Sequence, residues 1–212
     1  GQTAQRNLRF QWNNPAQAFA LSEESVKDAT VADLSCNVDG DTSSLENLKN
    51  NPGSSGISLV ELITAINRAG AGSGRVFVGF GREGSITCSD DIPEINAPIS
   101  INGDINGDGI PDIDIEGGNR DRTFKVRSSD VTIQQFSFQG VSAFFRAVGI
   151  YDHDGLGISN VAVLNNKMTN VYRGFSVDPY DRLTLSNLLI SNNFISNEDD
   201  NDNVIEIETS LD

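Results

Sequence analysis

The chain has 212 residues, enough for one large domain, and carries 30 Asp plus Glu against 15 Lys plus Arg, a net charge of −15. An acidic surface of that kind repels a phosphate backbone and argues against a nucleic-acid partner, while favouring solubility and cation binding. No apolar run approaches the roughly 18 residues of a membrane span, so no membrane span is expected.

Residues 1–56 differ from the rest. No secretory leader is visible at Gly1-Gln-Thr-Ala-Gln, which fits a mature or trimmed chain as well as a cytosolic one. Leu8-Arg-Phe-Gln-Trp reads as a possible strand and residues 16–29 as a short helix. Asn51-Pro-Gly-Ser-Ser-Gly then reads as a linker or loop. The segment has no role assigned by its residues. It is read either as a cover for the start of the domain at 57–212 or as an arm reaching a neighbour.

Residues 58–69 form the clearest helix. Ser58 and Glu61 make a capping box, Leu59, Leu62, Ile63 and Ile66 fall on one stripe, and Gly70 is a stop. Short strands follow, separated by Gly, Asp and Asn: Arg75-Val-Phe-Val-Gly-Phe, Ser85-Ile-Thr-Cys, Pro98-Ile-Ser-Ile, Ile113-Asp-Ile and Thr123-Phe-Lys-Val. Three later stretches repeat one another. They begin at Val131, Val161 and Leu188, at spacings of about 30 and 27 residues, with inward apolar residues alternating along each. Asn166 and Asn193 share one slot, held by Phe136 in the first copy. A second strand follows in each copy, at Ala147, Gly174 and Val204. The long period with period-2 strands predicts an all-β parallel β-helix, a solenoid of stacked coils closed by the 58–69 helix as an N-terminal cap. Asn166 and Asn193 are then neighbours at an inside turn, where stacked amides form a ladder. Cys36 and Cys88 are either two buried thiols or a disulfide pinning the N-terminal segment to the first coil.

Ser58-Leu-Val-Glu-Leu-Ile-Thr-Ala-Ile-Asn resembles the Cys-Ser-Leu-Arg-Glu-Ala motif at the start of secreted and cell-surface β-helix proteins of the pectate-lyase-like superfamily. Ser58, Leu59, Glu61, Ile63 and Asn67 match it; Ile57, Val60 and Leu62 depart from it. The resemblance covers residues 57–212. It implies a right-handed parallel β-helix, secreted or on a cell surface, and no single activity, since such scaffolds carry adhesins, structural proteins and polysaccharide lyases or hydrolases.

The strongest local motif is Asp104-Ile-Asn-Gly-Asp-Gly-Ile-Pro-Asp. Asp104, Asn106 and Asp108 place oxygens at alternate positions, Gly109 permits a sharp turn, Ile110 offers a carbonyl, and Asp112 adds a carboxylate. This matches the first nine positions of an EF-hand loop, without its Glu at twelve, and predicts a structural calcium site. The plain alternative is an Asx-rich turn with solvated carboxylates. Glu198-Asp-Asp-Asn-Asp-Asn reads as a solvated loop, and Asp152-His-Asp-Gly as a surface turn.

Aligning the second strands puts Arg146 with Arg173, and Tyr151 with Asp178 and Glu208. With Tyr172 and Tyr180 near, such a row suits a glycan-binding or glycan-cleaving groove, because glycosidases need paired carboxylates. An ordinary solvated face with ion pairs is the other reading. The sequence thus leads to a calcium-stabilised β-helix of adhesive or extracellular structural role, open to head-to-tail self-association and to surface glycans as partners. A polysaccharide lyase or hydrolase using Arg146, Arg173, Asp178 and Glu208 is the alternative.

Overall fold

The computed structural model describes residues 6–12, 27–88, 91–117, 122–140, 146–151, 157–178, 185–196 and 205–207. The strands in chain order are β1 (Arg6–Trp12), β2 (Lys27–Val31), β3 (Val76–Phe80), β4 (Gly84–Ile86), β5 (Ile99–Asn102), β6 (Ile113–Gly117), β7 (Arg122–Val126), β8 (Val131–Gln134), β9 (Phe136–Gly140), β10 (Arg146–Tyr151), β11 (Ile158–Leu164), β12 (Lys167–Thr169), β13 (Arg173–Asp178), β14 (Leu185–Ser196) and β15 (Ile205–Ile207). Two helices, α1 (Leu45–Asn50) and α2 (Leu59–Ala69), lie between β2 and β3. Among the described residues no helix is long and apolar enough to cross a membrane.

The strands wind into a parallel β-solenoid of about 4 turns. Its first face runs β2-β3-β5-β8-β11-β14 and its second β4-β6-β9-β12-β14, while β7-β10-β13-β15 form a third. β14 belongs to two faces: Leu188 pairs with Val161 of β11, and Ile195 pairs with Met168 of β12.

Register explains the core. Val76, Ile99, Val131, Val161 and Leu188 stack on one another, as do Val78, Ile101, Ile133, Val163 and Ile190. Every one of these side chains is buried. On the other faces, Ile86–Ile115–Phe138–Met168–Ile195 and Phe124–Val148–Phe175 form equivalent columns. Phe136 joins the columns, its ring 5.7 Å from those of Phe80 and Phe124. Burying one such aromatic or aliphatic side chain stabilises by about 1.5–3 kcal/mol, so the columns supply the main driving force.

The first two repeated stretches each hold two strands where the sequence suggested one, and the third is the single strand β14 shared by both faces. Gln135, Asn165 and Asn192 adopt φ of 59°, 54° and 57° at the turn from the first face onto the second. The left-handed conformation is tolerated by Asn far better than by most residues. The inside ladder forms at this corner. Phe136 N–H donates to Asn166 Oδ1 (3.0 Å), and Asn166 donates its N–H and Nδ2 to Asn193 Oδ1 (3.0 and 2.9 Å). Asn166 Nδ2 also reaches Ile133 O, and Asn193 Nδ2 donates to Val163 O (2.8 Å). A second ladder was not anticipated. Asp130, Asn160 and Asn187 also have positive φ and line the opposite corner, with Asn187 Nδ2 donating to Asn160 Oδ1 and Asn160 Nδ2 to Asp130 Oδ1.

The N-terminal segment departs from expectation at residues 16–29. Its end is β2, a strand paired in parallel with β3, and residues 13–26 lie outside the described set. Ala29 and Val31 alternate inward and are buried, so an open ladder edge on β3 outweighs local helix propensity there. Cys36 and Cys88 form a disulfide, Cα–Cα 5.3 Å.

The motif residues of α2 each have a mechanical task. Ser58 Oγ accepts from Glu61 N–H and donates to Asn37 O. Glu61 is fully buried; its Oε2 takes the Ser58 N–H and its Oε1 takes the amides of Asp39 and Gly40 (2.8 and 2.6 Å). Leu59 and Ile63 are buried in the core. Asn67 donates Nδ2 to Glu94 O and accepts Asn96 N–H, just where Ile95 bridges to Val126 of the third face. The helix is therefore bonded to the solenoid through Asn67 and packs beside α1.

Candidate functional site

In three coils the corner between the first and second faces is marked by one left-handed residue, Gln135, Asn165 or Asn192. Between β5 and β6 the same corner carries the Asp104–Pro111 excursion. Gly103 N–H donates to Gln134 O, and Asp112 N–H donates back to Gly103 O at 2.9 Å, closing the base of the loop. A Cβ on Gly103 would collide with the Gln135 carbonyl, so the base admits only glycine.

Within the loop, side-chain oxygens hold the backbone. Asp104 accepts Gly107 N–H on Oδ1 (2.7 Å) and Gly109 N–H on Oδ2 (2.9 Å). Asn106 accepts Asp108 N–H, Asp108 accepts Ile110 N–H, and Asp112 accepts Ile105 N–H. Gln135 Nε2 donates to Asp104 Oδ2 at 2.7 Å, anchoring the loop to the next coil's corner. Gly107 and Gly109 have φ of 77° and 84°. Partial desolvation pushes the Asp104 carboxyl up, but the amides of Gly109, Gly107 and Asp108 and the Gln135 side chain outweigh it and hold its pKa below the ordinary 3.8.

Asp104, Asn106, Asp108, Ile110 and Asp112 are thus brought onto one loop. Residues 105–110 are solvent-exposed. Among the described residues, no three His, Cys, Asp or Glu side chains gather as a metal cluster. Each side-chain oxygen that accepts one amide retains a lone pair for a hard cation. The twelfth position of the loop is Ile115, whose side chain is buried in the second face, so a bidentate carboxylate is replaced by a core residue. Asp104 Oδ2 already accepts two hydrogen bonds, from Gly109 and Gln135, while Asn106, Asp108 and Asp112 offer oxygens of the type a hard cation takes.

Arg146 and Arg173 occupy the same register on the third face, with Tyr151 opposite Asp178. The Arg173 guanidinium lies 4.8 Å from the Tyr172 ring centroid. Tyr151 departs from the expected open row. It is buried, folded over Gly149, where a Cβ would lie 2.7 Å from its ring. The Asp178 side chain, Tyr180, Glu208, residues 152–156 and residues 197–204 lie outside the described residues.

Comparison of the chain with models of known protein families, with curated proteins and with solved structures returns no match.

Proposed function

We propose that the protein is an extracellular β-helix, secreted or held at a cell surface, with an adhesive or structural role and a calcium ion in the Asp104–Asp112 loop. The resemblance of its α2 segment to surface β-helix proteins points the same way. The observation that carries the reading is the Cys36–Cys88 disulfide, which ties the segment before α2 to the strand region after β4. Structural disulfides persist in oxidising compartments and are rare in reducing cytosol. Calcium suits that setting, where millimolar concentrations load sites of modest affinity. The test is thiol labelling and surface proteolysis of intact cells that make the protein. An oxidised, externally accessible chain supports the reading; a chain recovered with free thiols and protected inside cells removes it.

A second reading, a polysaccharide lyase or hydrolase, draws on the in-register Arg146 and Arg173 beside Tyr172. Arginines in register on adjacent coils suit the carboxylates of an acidic glycan. Cleavage of acidic polysaccharides that disappears in Arg173→Ala would favour it.

A further inference from the structure

We propose that the cleft beside the Asp104–Pro111 loop binds an acidic peptide, whose Asp or Glu carboxylate is taken by Asn165, Asn192 and Lys167. Such a partner deepens the adhesive role proposed above and rests on it for its biology, while the site itself is tested by binding to the cleft alone.

The corners of three successive coils stack. Leu164, just before Asn165, pairs with Gln134 on one side and with Ser191 on the other, so Gln135, Asn165 and Asn192 form one column of side-chain amides. Asn165 and Asn192 are exposed. The next residue in each strand, Asn166 or Asn193, is buried and commits its amide to the inside ladder. The outer column is a separate set of donors. Gln135, its first member, already holds a carboxylate: its Nε2 donates to Asp104 Oδ2 at 2.7 Å. The side chains of Asn165 and Asn192 have the same donors and no hydrogen-bond partner among the described residues.

The loop that carries Asp104 also walls these two members. Gly109 and Pro111 of the loop, with Asn165, Lys167, Asn192 and Phe194, line a cleft of about 460 Å3, within the roughly 300–1,000 Å3 usual for ligand sites. Lys167 and Phe194 are register partners on neighbouring strands.

The lining selects the ligand. Lys167 is its single charged residue among the described ones, is exposed, and has no ion pair among them, in a chain of 30 acidic and 15 basic residues. A carboxylate can accept from an ammonium and from two amides together. The net charge of −15 is screened beyond about 8 Å at physiological ionic strength, so the local cation governs contact. Pro111 and Phe194 add apolar surface for a neighbouring aliphatic side chain. A peptide is favoured over a sugar because the column's first member is filled by a carboxylate on polypeptide, Asp104, with the aliphatic Ile105 next to it.

The experiment titrates the isotope-labelled full chain with the end-blocked tetrapeptide Gly-Asp-Ile-Gly and follows the side-chain amide signals of Asn165 and Asn192 by NMR. Their loss in Asn165→Gly and Asn192→Gly identifies the signals, and glycine keeps the left-handed backbone without steric cost. Gly-Asn-Ile-Gly is the neutral control, and a uronic-acid trisaccharide is the sugar control. Circular dichroism verifies that each variant is folded. The expected result is a saturable shift of both signals with the Asp peptide, and affinity about tenfold lower for the Asn peptide and in Lys167→Gln. No shift of either signal, or equal affinity for the two peptides, overturns the site. Tighter binding of the trisaccharide than of the Asp peptide overturns the assignment to a peptide. Thiol labelling of intact cells is indifferent to all of these outcomes, so the extracellular reading and the cleft fail separately.

Discussion

Asn166 donates both its backbone N–H and its side-chain Nδ2 to the single Oδ1 of Asn193. Both residues are buried, so neither donor has water as a substitute. An unsatisfied buried polar group costs about 1–3 kcal/mol. Asn193→Ala removes the shared acceptor, and Asn193→Leu refills the volume without restoring it. Both are expected to lower unfolding free energy by about 2–4 kcal/mol, read from urea midpoints. An unchanged midpoint in the Leu variant would mean that the ladder is dispensable.

Calcium at the Asp104–Asp112 loop is expected to raise the melting temperature. At a hundredfold excess over Kd, a ligand specific to the folded state adds about 2.7 kcal/mol, which for a chain of this size is on the order of 5–10 °C. Chelator should reverse the shift in wild type and do nothing in Asp108→Ala. Equal melting with calcium and with chelator would reduce the loop to an Asx-braced turn.

Acid should weaken the fold in a defined window. The carboxyls of Asp33, Asp39, Asp41 and Asp104 are all held below 3.8. At Asp33, desolvation acts upward and is overcome by the Ser35 hydroxyl and amide, the Ser55 hydroxyl and the Arg82 charge. At Asp39 and Asp41 the donors are the hydroxyl and amide of Ser54 and of Ser43. A depressed folded-state pKa contributes stability that is complete above the unfolded value and vanishes as pH falls through the folded one. Urea midpoints should therefore be level down to about pH 4.5 and decline below it. Asp33→Asn should start lower at neutral pH and decline less steeply. Parallel acid limbs for the two proteins would remove Asp33 from the account.

The disulfide closes a sequence separation of 52 residues. A loop of that size implies about 4 kcal/mol in the chain-entropy view, and measured values are commonly about 2–4. The Cys36→Ser, Cys88→Ser double variant should lose stability in that range, and wild type in reductant should match it. Wild type that melts identically with and without reductant would contradict a structural role.

The coil was legible in the sequence because the inward columns repeat, and period-2 alternation survives in every strand from Val76 to Ile190. Asn166 and Asn193 were legible because they share a slot. The second ladder carried the same signal. Asp130, Asn160 and Asn187 recur at the same spacings, directly before Val131, Val161 and Leu188, but a polar residue in that place also reads as an ordinary turn. The left-handed corners at Gln135, Asn165 and Asn192 were hidden for a different reason. A left-handed residue leaves no gap in the apolar pattern, so two strands look like one. β2 was misread because Ala29 and its neighbours have helix propensity, and the edge that recruits them lies in β3, far along the chain. α1 was missed because it is only 6 residues long and Leu48 is its single buried residue.

The left-handed corners make the coil a unit of growth. Because the first and second faces meet without a loop in the coils of β8, β11 and β14, and those corners bond to the neighbouring storeys, a duplicated segment of one such period would re-enter the stack in register. Its Asn would meet the Asn of its neighbours, and its columns would continue those already present. Length in this molecule is thus a quantity that tandem duplication can change in whole storeys, each adding a fixed rise of about 4.8 Å without redesign of either end.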